Sequence, residues 1–70
     1  MQFEARPIVL GGHIVHVGDR VIVRAPTHNG REGNFRGITR DGRLVVRVKF
    51  GGYSQTLLRC EEYEVERSNK

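Results

Sequence analysis

From Arg43 to Phe50 apolar and charged residues alternate, with Leu44, Val46, Val48 and Phe50 on one side and Arg43, Val45, Arg47 and Lys49 on the other. A period of two is that of a β-strand with one face buried and one face solvated. Asp41-Gly42, just before it, is a tight-turn signal, because a two-residue hairpin loop needs positive φ and this pair supplies it at low cost. The preceding stretch, Gly33 to Arg40, is therefore expected to be the partner strand, with Phe35 and Gly37-Ile38 bending over the core. Arg20 to Arg24 reads as another strand in which Val21 and Val23 share a face, led in by the turn Gly18-Asp19. Ala25 to Glu32 is rich in turn formers and reads as a loop. Past Phe50, Gly51-Gly52 breaks the pattern, a strand resumes from Tyr53 to Leu58, and Glu61-Glu62-Tyr63 has the composition of a single helical turn. A last short strand, Glu64-Val65-Glu66, precedes residues 67–70, which are expected to form a disordered polar tail.

No stretch keeps a 3.6-residue apolar period for the length of an ordinary helix, so the chain is expected to be all-β. At the N-terminus, Ile8-Val9-Leu10 and His13-Ile14-Val15-His16-Val17 flank Gly11-Gly12 like the two arms of a hairpin. Pro7 argues against a central strand there. Residues 1–16 are expected to be an N-terminal extension whose edge offers a route to a homo-oligomer.

Composition narrows the class. The chain has 70 residues, 37% hydrophobic and 29% charged, which suits one small domain and is too apolar for an unfoldable chain. Its longest apolar runs are three residues, far below the roughly 20 needed to cross a bilayer, and its start lacks the apolar core of a secretory signal. No membrane association and a cytoplasmic location are expected. The lone cysteine, Cys60, cannot form an internal disulfide and is expected to pack as a small hydrophobe.

Charge is unevenly distributed. Residues 20–49 carry a net +6, whereas residues 50–66 carry −3 through Glu61, Glu62, Glu64 and Glu66. Arginine outnumbers lysine ten to two, a bias that suits planar contacts to phosphates or bases better than mere solubility.

The run from Val17 to Val65 resembles the KOW-type SH3-like barrel found at the C-terminus of NusG-class transcription elongation factors and in some ribosomal proteins. Gly18-Asp19-Arg20-Val21-Ile22-Val23 is similar to that family's opening strand, and Asn29-Gly30-Arg31-Glu32-Gly33 to its glycine loop. The strand Leu44 to Lys49, Phe50-Gly51 and the closing Tyr63-Glu64-Val65-Glu66 complete the likeness. The resemblance implies a small KOW-like barrel of about five strands over residues 17–66, serving a transcription- or translation-related assembly. Gly30 and Gly33 also have a purely mechanical reading, in which they let the loop turn sharply and cross close to a neighbouring strand.

Two binding functions fit these residues. In the first, Arg31, Arg36, Arg40, Arg43, Arg47 and Lys49 form a cationic stripe that grips nucleic acid, RNA before DNA, with Phe35 and Tyr53 stacking on bases. The plainer reading of the same residues is a strand face kept charged for solubility. In the second, the stripe meets an acidic protein surface, with Val45 and Tyr53 as apolar contacts, as in adaptors or small subunits docking onto larger complexes. Both predict that changing Arg43 and Arg47 together to Glu abolishes binding and leaves the melting temperature nearly unaltered, because both side chains point outward.

Enzymatic readings are weaker. Plasmid-type dihydrofolate reductase is also a short SH3-like chain, but of its Val-Gln-Ile-Tyr active strand only Gln55 is matched in Ser54-Gln55-Thr56-Leu57. His13, His16, His28 and Cys60 lack metal-ligand spacing, and the C-terminal glutamates read as solvated edge residues, so neither metal, cofactor nor catalytic residue is expected.

Overall fold

A computed structural model describes residues 2–49, 51, 52 and 54–68. Its described elements are strands β1 (Phe3–Glu4), β2 (Ile8–Leu10), β3 (His13–Val15), β4 (Arg20–Val23), β5 (Arg31–Thr39), β6 (Leu44–Lys49), β7 (Gln55–Cys60) and β8 (Val65–Arg67), with one 3₁₀ turn, Glu62–Glu64. All pairings are antiparallel. The main sheet runs β7-β6-β5-β4-β8, β1 adds to β5, and β2-β3 is a separate two-stranded ribbon. No helix among the described residues is long and apolar enough to cross a membrane.

The long strand β5 organises the molecule. Its first half pairs with β4, from Val23↔Arg31 to Arg20↔Asn34, and its second half pairs with β1 through Glu4↔Ile38 and Phe3↔Thr39. Against β6 the register shifts between Phe35↔Val46 and Gly37↔Val45, leaving Arg36 as the extra residue of a bulge. A bulge bends its strand and increases twist. Here it reverses which residues of β5 look inward, so Phe35 before it and Ile38 after it share a side.

Leu44, Val46 and Val48 are buried as the alternation requires, and pack with Val21, Val23, Phe35, Cys60 and Val65. Leu10 and Val15 of the hairpin belong to the same cluster, so residues 1–16 supply part of the core and one main-sheet strand. Gly11 and Gly12 take φ of +58° and +81°, the two successive positive values of a tight hairpin turn, as their sequence predicts.

Several turns and strand ends differ from the expectations, among them the start of β5 at Arg31, inside the stretch expected to be a loop. The β5–β6 connection is a three-residue loop, with Thr39 N–H donating to Arg43 O at 2.8 Å and Gly42 at φ +90°, because Arg43 closes the hairpin instead of turning it. The seventh strand starts at Gln55 and runs to Cys60, and the eighth extends through Arg67. The Ser68 amide donates to Arg20 O at 3.2 Å, so residues 67 and 68 are anchored by β4, and the tail expectation is left only with residues 69 and 70, outside the described residues.

Candidate functional site

Cross-strand register fixes which side chains share the outer surface, since directly opposed residues point to the same side. One row runs Arg20, Asn34, Arg47 and Leu57 across β4, β5, β6 and β7. The next rows are Gly37, Val45 and Arg59, and Lys49 with Gln55. Arg47, Lys49 and Arg59 thus lie on the outer face of the β5–β6–β7 meander, where the residues from Asn34 onward include no carboxylate.

Ion pairs separate these cations from the others. Arg43 Nε is 3.2 Å from Glu61 and 3.8 Å from Asp41, Arg24 is 3.3 Å from Glu66, and Arg20 is 3.4 Å from Glu32. Glu64 serves the 3₁₀ turn, where its Oε1 accepts the Glu61 amide at 2.9 Å. The acidic C-terminal strip therefore folds back on basic residues at the strand ends. Among the described residues, no ion pair reaches Arg36, Arg40, Arg47, Lys49 or Arg59.

Arg47 is the most constrained of them. It is half-buried between Asn34 and Leu57, and its Nε is inaccessible with no hydrogen-bond partner. Asn34 does not supply one, because its Nδ2 donates to Gly18 O at 3.1 Å. The Arg47 stem is thus sunk into the sheet. An orphaned guanidinium nitrogen favours any ligand that brings an oxygen to the same group.

The expected stripe is only partly assembled. Lys49 and Arg47 are neighbours on one face, and Arg36 is the half-buried bulge residue of the adjacent strand. Arg40 and Arg43 sit in the β5–β6 turn, whereas Arg31 begins β5 at its far end beside the loop of residues 24–30. Two of the expected contacts are corrected outright. Phe35 is fully buried in the core and presents no ring to a base, because its pairing with Val46 turns it inward. Val45 is also fully buried. Its neighbour Gly37 lies beneath β1, where an added methyl would run into the Glu4 carbonyl and come within 2.9 Å of the Phe3 ring. That cover makes the outer face beside Val45 a small second core. Tyr53 lies outside the described residues.

The surroundings of Arg43 and Arg47 bear on the expectation that reversing both charges leaves the melting temperature nearly unaltered. A glutamate at position 43 would face Asp41 and Glu61, and one at position 47 would put a carboxylate into a half-buried slot. No protein-family model, curated protein or solved structure significantly matches this chain.

Arg59 belongs to the candidate face although its sequence neighbourhood is acidic; pairing with Val45 puts it there. Its signal was the polar-apolar succession Gln55, Thr56, Leu57, Leu58, Arg59, which reads as a strand laid against β6. Elsewhere the chemistry is quiet. Cys60 is 2% exposed, and burial, helped by the Glu64 charge, pushes its thiol up to about 11. It is protonated and unreactive at neutral pH. Among the described residues no three His, Cys, Asp or Glu side chains converge into a metal site.

Proposed function

We propose that this chain is a non-enzymatic binding module of the SH3-like barrel type whose outer β5–β6–β7 face grips a polyanion, RNA foremost. The strand order, with β8 returning after a 3₁₀ turn to pair with β4, supports the barrel reading, as do the bend of β5 and the core packed against the inner face of the sheet. The KOW-like glycine loop adds to it: Gly33 passes so close to β6 that a methyl there would come within 2.6 Å of Arg47 O.

The observation that carries the binding function is Arg47 with Lys49 and Arg59 on one face, none ion-paired with a carboxylate of the described residues, while Arg20, Arg24 and Arg43 are each paired with one. Unpaired cations on one side of a small domain attract phosphates chiefly by counterion release. With Phe35 buried, contact through the backbone phosphates is expected to outweigh base stacking. Titrating salt against a labelled single-stranded RNA tests this. Three neutralised phosphates predict a log-log slope of about −2, at roughly 0.7 per contact. Binding that ignores salt, or no binding at low salt, refutes the reading.

A protein partner is the second reading, and one observation favours it. Val9 and Ile14, directly opposed on the hairpin, are 64% and 59% exposed. Competition between RNA and an acidic protein for the same face distinguishes an Arg47 ligand from a hairpin ligand.

A further inference from the structure

The main sheet ends at β7 on one side and β8 on the other, and these two strands are not paired with each other. A terminal strand presents a row of unmatched backbone N–H and C=O groups, and proteins ordinarily blunt such edges with short strands, charges, proline or bulges. The described edges here are unequal. Strands β1, β2, β3 and β8 are two or three residues long, and β8 alternates Glu66 with Arg67. Strand β7 has six residues, Gln-Thr-Leu-Leu-Arg-Cys, without proline, glycine or carboxylate and with a regular register to β6 throughout. Leu57 is 37% exposed on its outer side, and on its inner side Thr56 is exposed and Leu58 only partly covered, so the edge strand itself is incompletely covered.

We infer that β7 pairs antiparallel with β7 of a second copy of this chain, about a two-fold axis at Leu57. In that register Gln55 opposes Arg59, Thr56 opposes Leu58 and Leu57 opposes itself. The strand's own sequence suits this occupant: in the two-fold register no like charges are directly opposed, each Arg59 faces a neutral amide, and two exposed leucines meet on the axis. Same-side residues then stay on the same side across the junction, so the two outer faces join into one surface bearing two sets of Arg47, Lys49 and Arg59. The partner strand then covers Thr56 and Leu58, the incompletely covered inner residues of each edge. One strand edge covers less than the ~800 Å² per partner of a stable complex, so the dimer is weak and concentration-dependent.

The experiment needs no nucleic acid, so its outcome is separate from that of the polyanion reading. Sedimentation of the full chain over a concentration series is expected to show monomer passing to dimer, with exchange of the β7 amides slowing in parallel. Leu57→Lys and Leu57→Glu, both at an exposed position, should each remain monomeric with a native circular dichroism spectrum. Because residue 57 meets itself, an equimolar mixture of the two should recover the dimer. The inference is overturned by a wild-type chain that stays monomeric at every concentration. It is equally overturned by variants that dimerise alone, or by variants that stay monomeric when mixed.

Discussion

Arg43 and Arg47 lie four residues apart on one ribbon and have opposite surroundings. Arg43 is held at the hairpin by Asp41 and Glu61, the second delivered from the far end of the chain. Arg47 lies in mid-sheet with no ion pair to any carboxylate of the described residues and an unmatched Nε. An exposed ion pair contributes at most about 1 kcal/mol to folding, and it offsets the charge that a polyanion would seek. The Arg47 charge is not offset in this way by any carboxylate of the described residues. A local density of basic residues is therefore a poor guide to an interface until the folded positions of the acids are known.

Replacing Arg47 and Arg59 together by Ala gives the largest expected effect on this contrast. Two charge-assisted contacts at about 1.5 kcal/mol each imply roughly 100-fold weaker RNA binding and a salt slope reduced to about −0.7. Fluorescence anisotropy against salt reads both quantities. Unchanged affinity in this variant would place the contact surface elsewhere.

Next in size is Gly37→Ala. The added methyl collides with the Glu4 carbonyl backbone, so β1 must lift from Val45, at a cost of about 1–3 kcal/mol. Urea denaturation measures the loss, and faster exchange of the Ile38 amide locates it. A neutral outcome would mean that the strap over the outer face contributes nothing to stability.

Arg43→Ala separates the two arginines most cleanly. Stability is expected to fall by less than about 1 kcal/mol, and RNA binding to stay within a factor of about two, because its charge is already offset. A tenfold loss of affinity would make the hairpin part of the interface.

The strand Leu44–Lys49, the hairpin about Gly11-Gly12 and the 3₁₀ turn were legible in the sequence because each depends on neighbours within a few residues. The burial of Val45 was not. It requires β1 to arrive from about forty residues away and a bulge at Arg36 to bring Gly37 beside it, and neither leaves a periodic trace. Phe35 was read correctly as bending over the core, and that position is incompatible with stacking on a base. The acidic strip and the basic body were visible as blocks. Only tertiary structure shows that Glu61 and Glu66 meet Arg43 and Arg24, whereas Arg59 leaves its acidic surroundings for the face of Arg47.

The smallest effect concerns the hairpin side of the contrast. The Thr39 hydroxyl donates to the Asp41 carboxylate and, together with the Arg43 charge, holds it below the usual carboxylate range. A carboxylate depressed in the folded state contributes stability that is present above its unfolded pKa and lost as pH falls through its folded value. Thr39→Val removes the donor, so the Asp41 pKa should rise toward its ordinary value and that acid-dependent stability should shrink. The Thr39 hydroxyl also accepts the Arg43 amide at 2.9 Å, so some stability is lost at every pH. The diagnostic quantity is therefore the difference in melting temperature between neutral and acidic buffer, which should be smaller in Thr39→Val than in the wild type. Arg47→Ala should leave that difference unchanged, because no carboxylate of the described residues is paired with Arg47. A variant at position 47 that altered the acid response would couple two regions that the ion pairs keep apart.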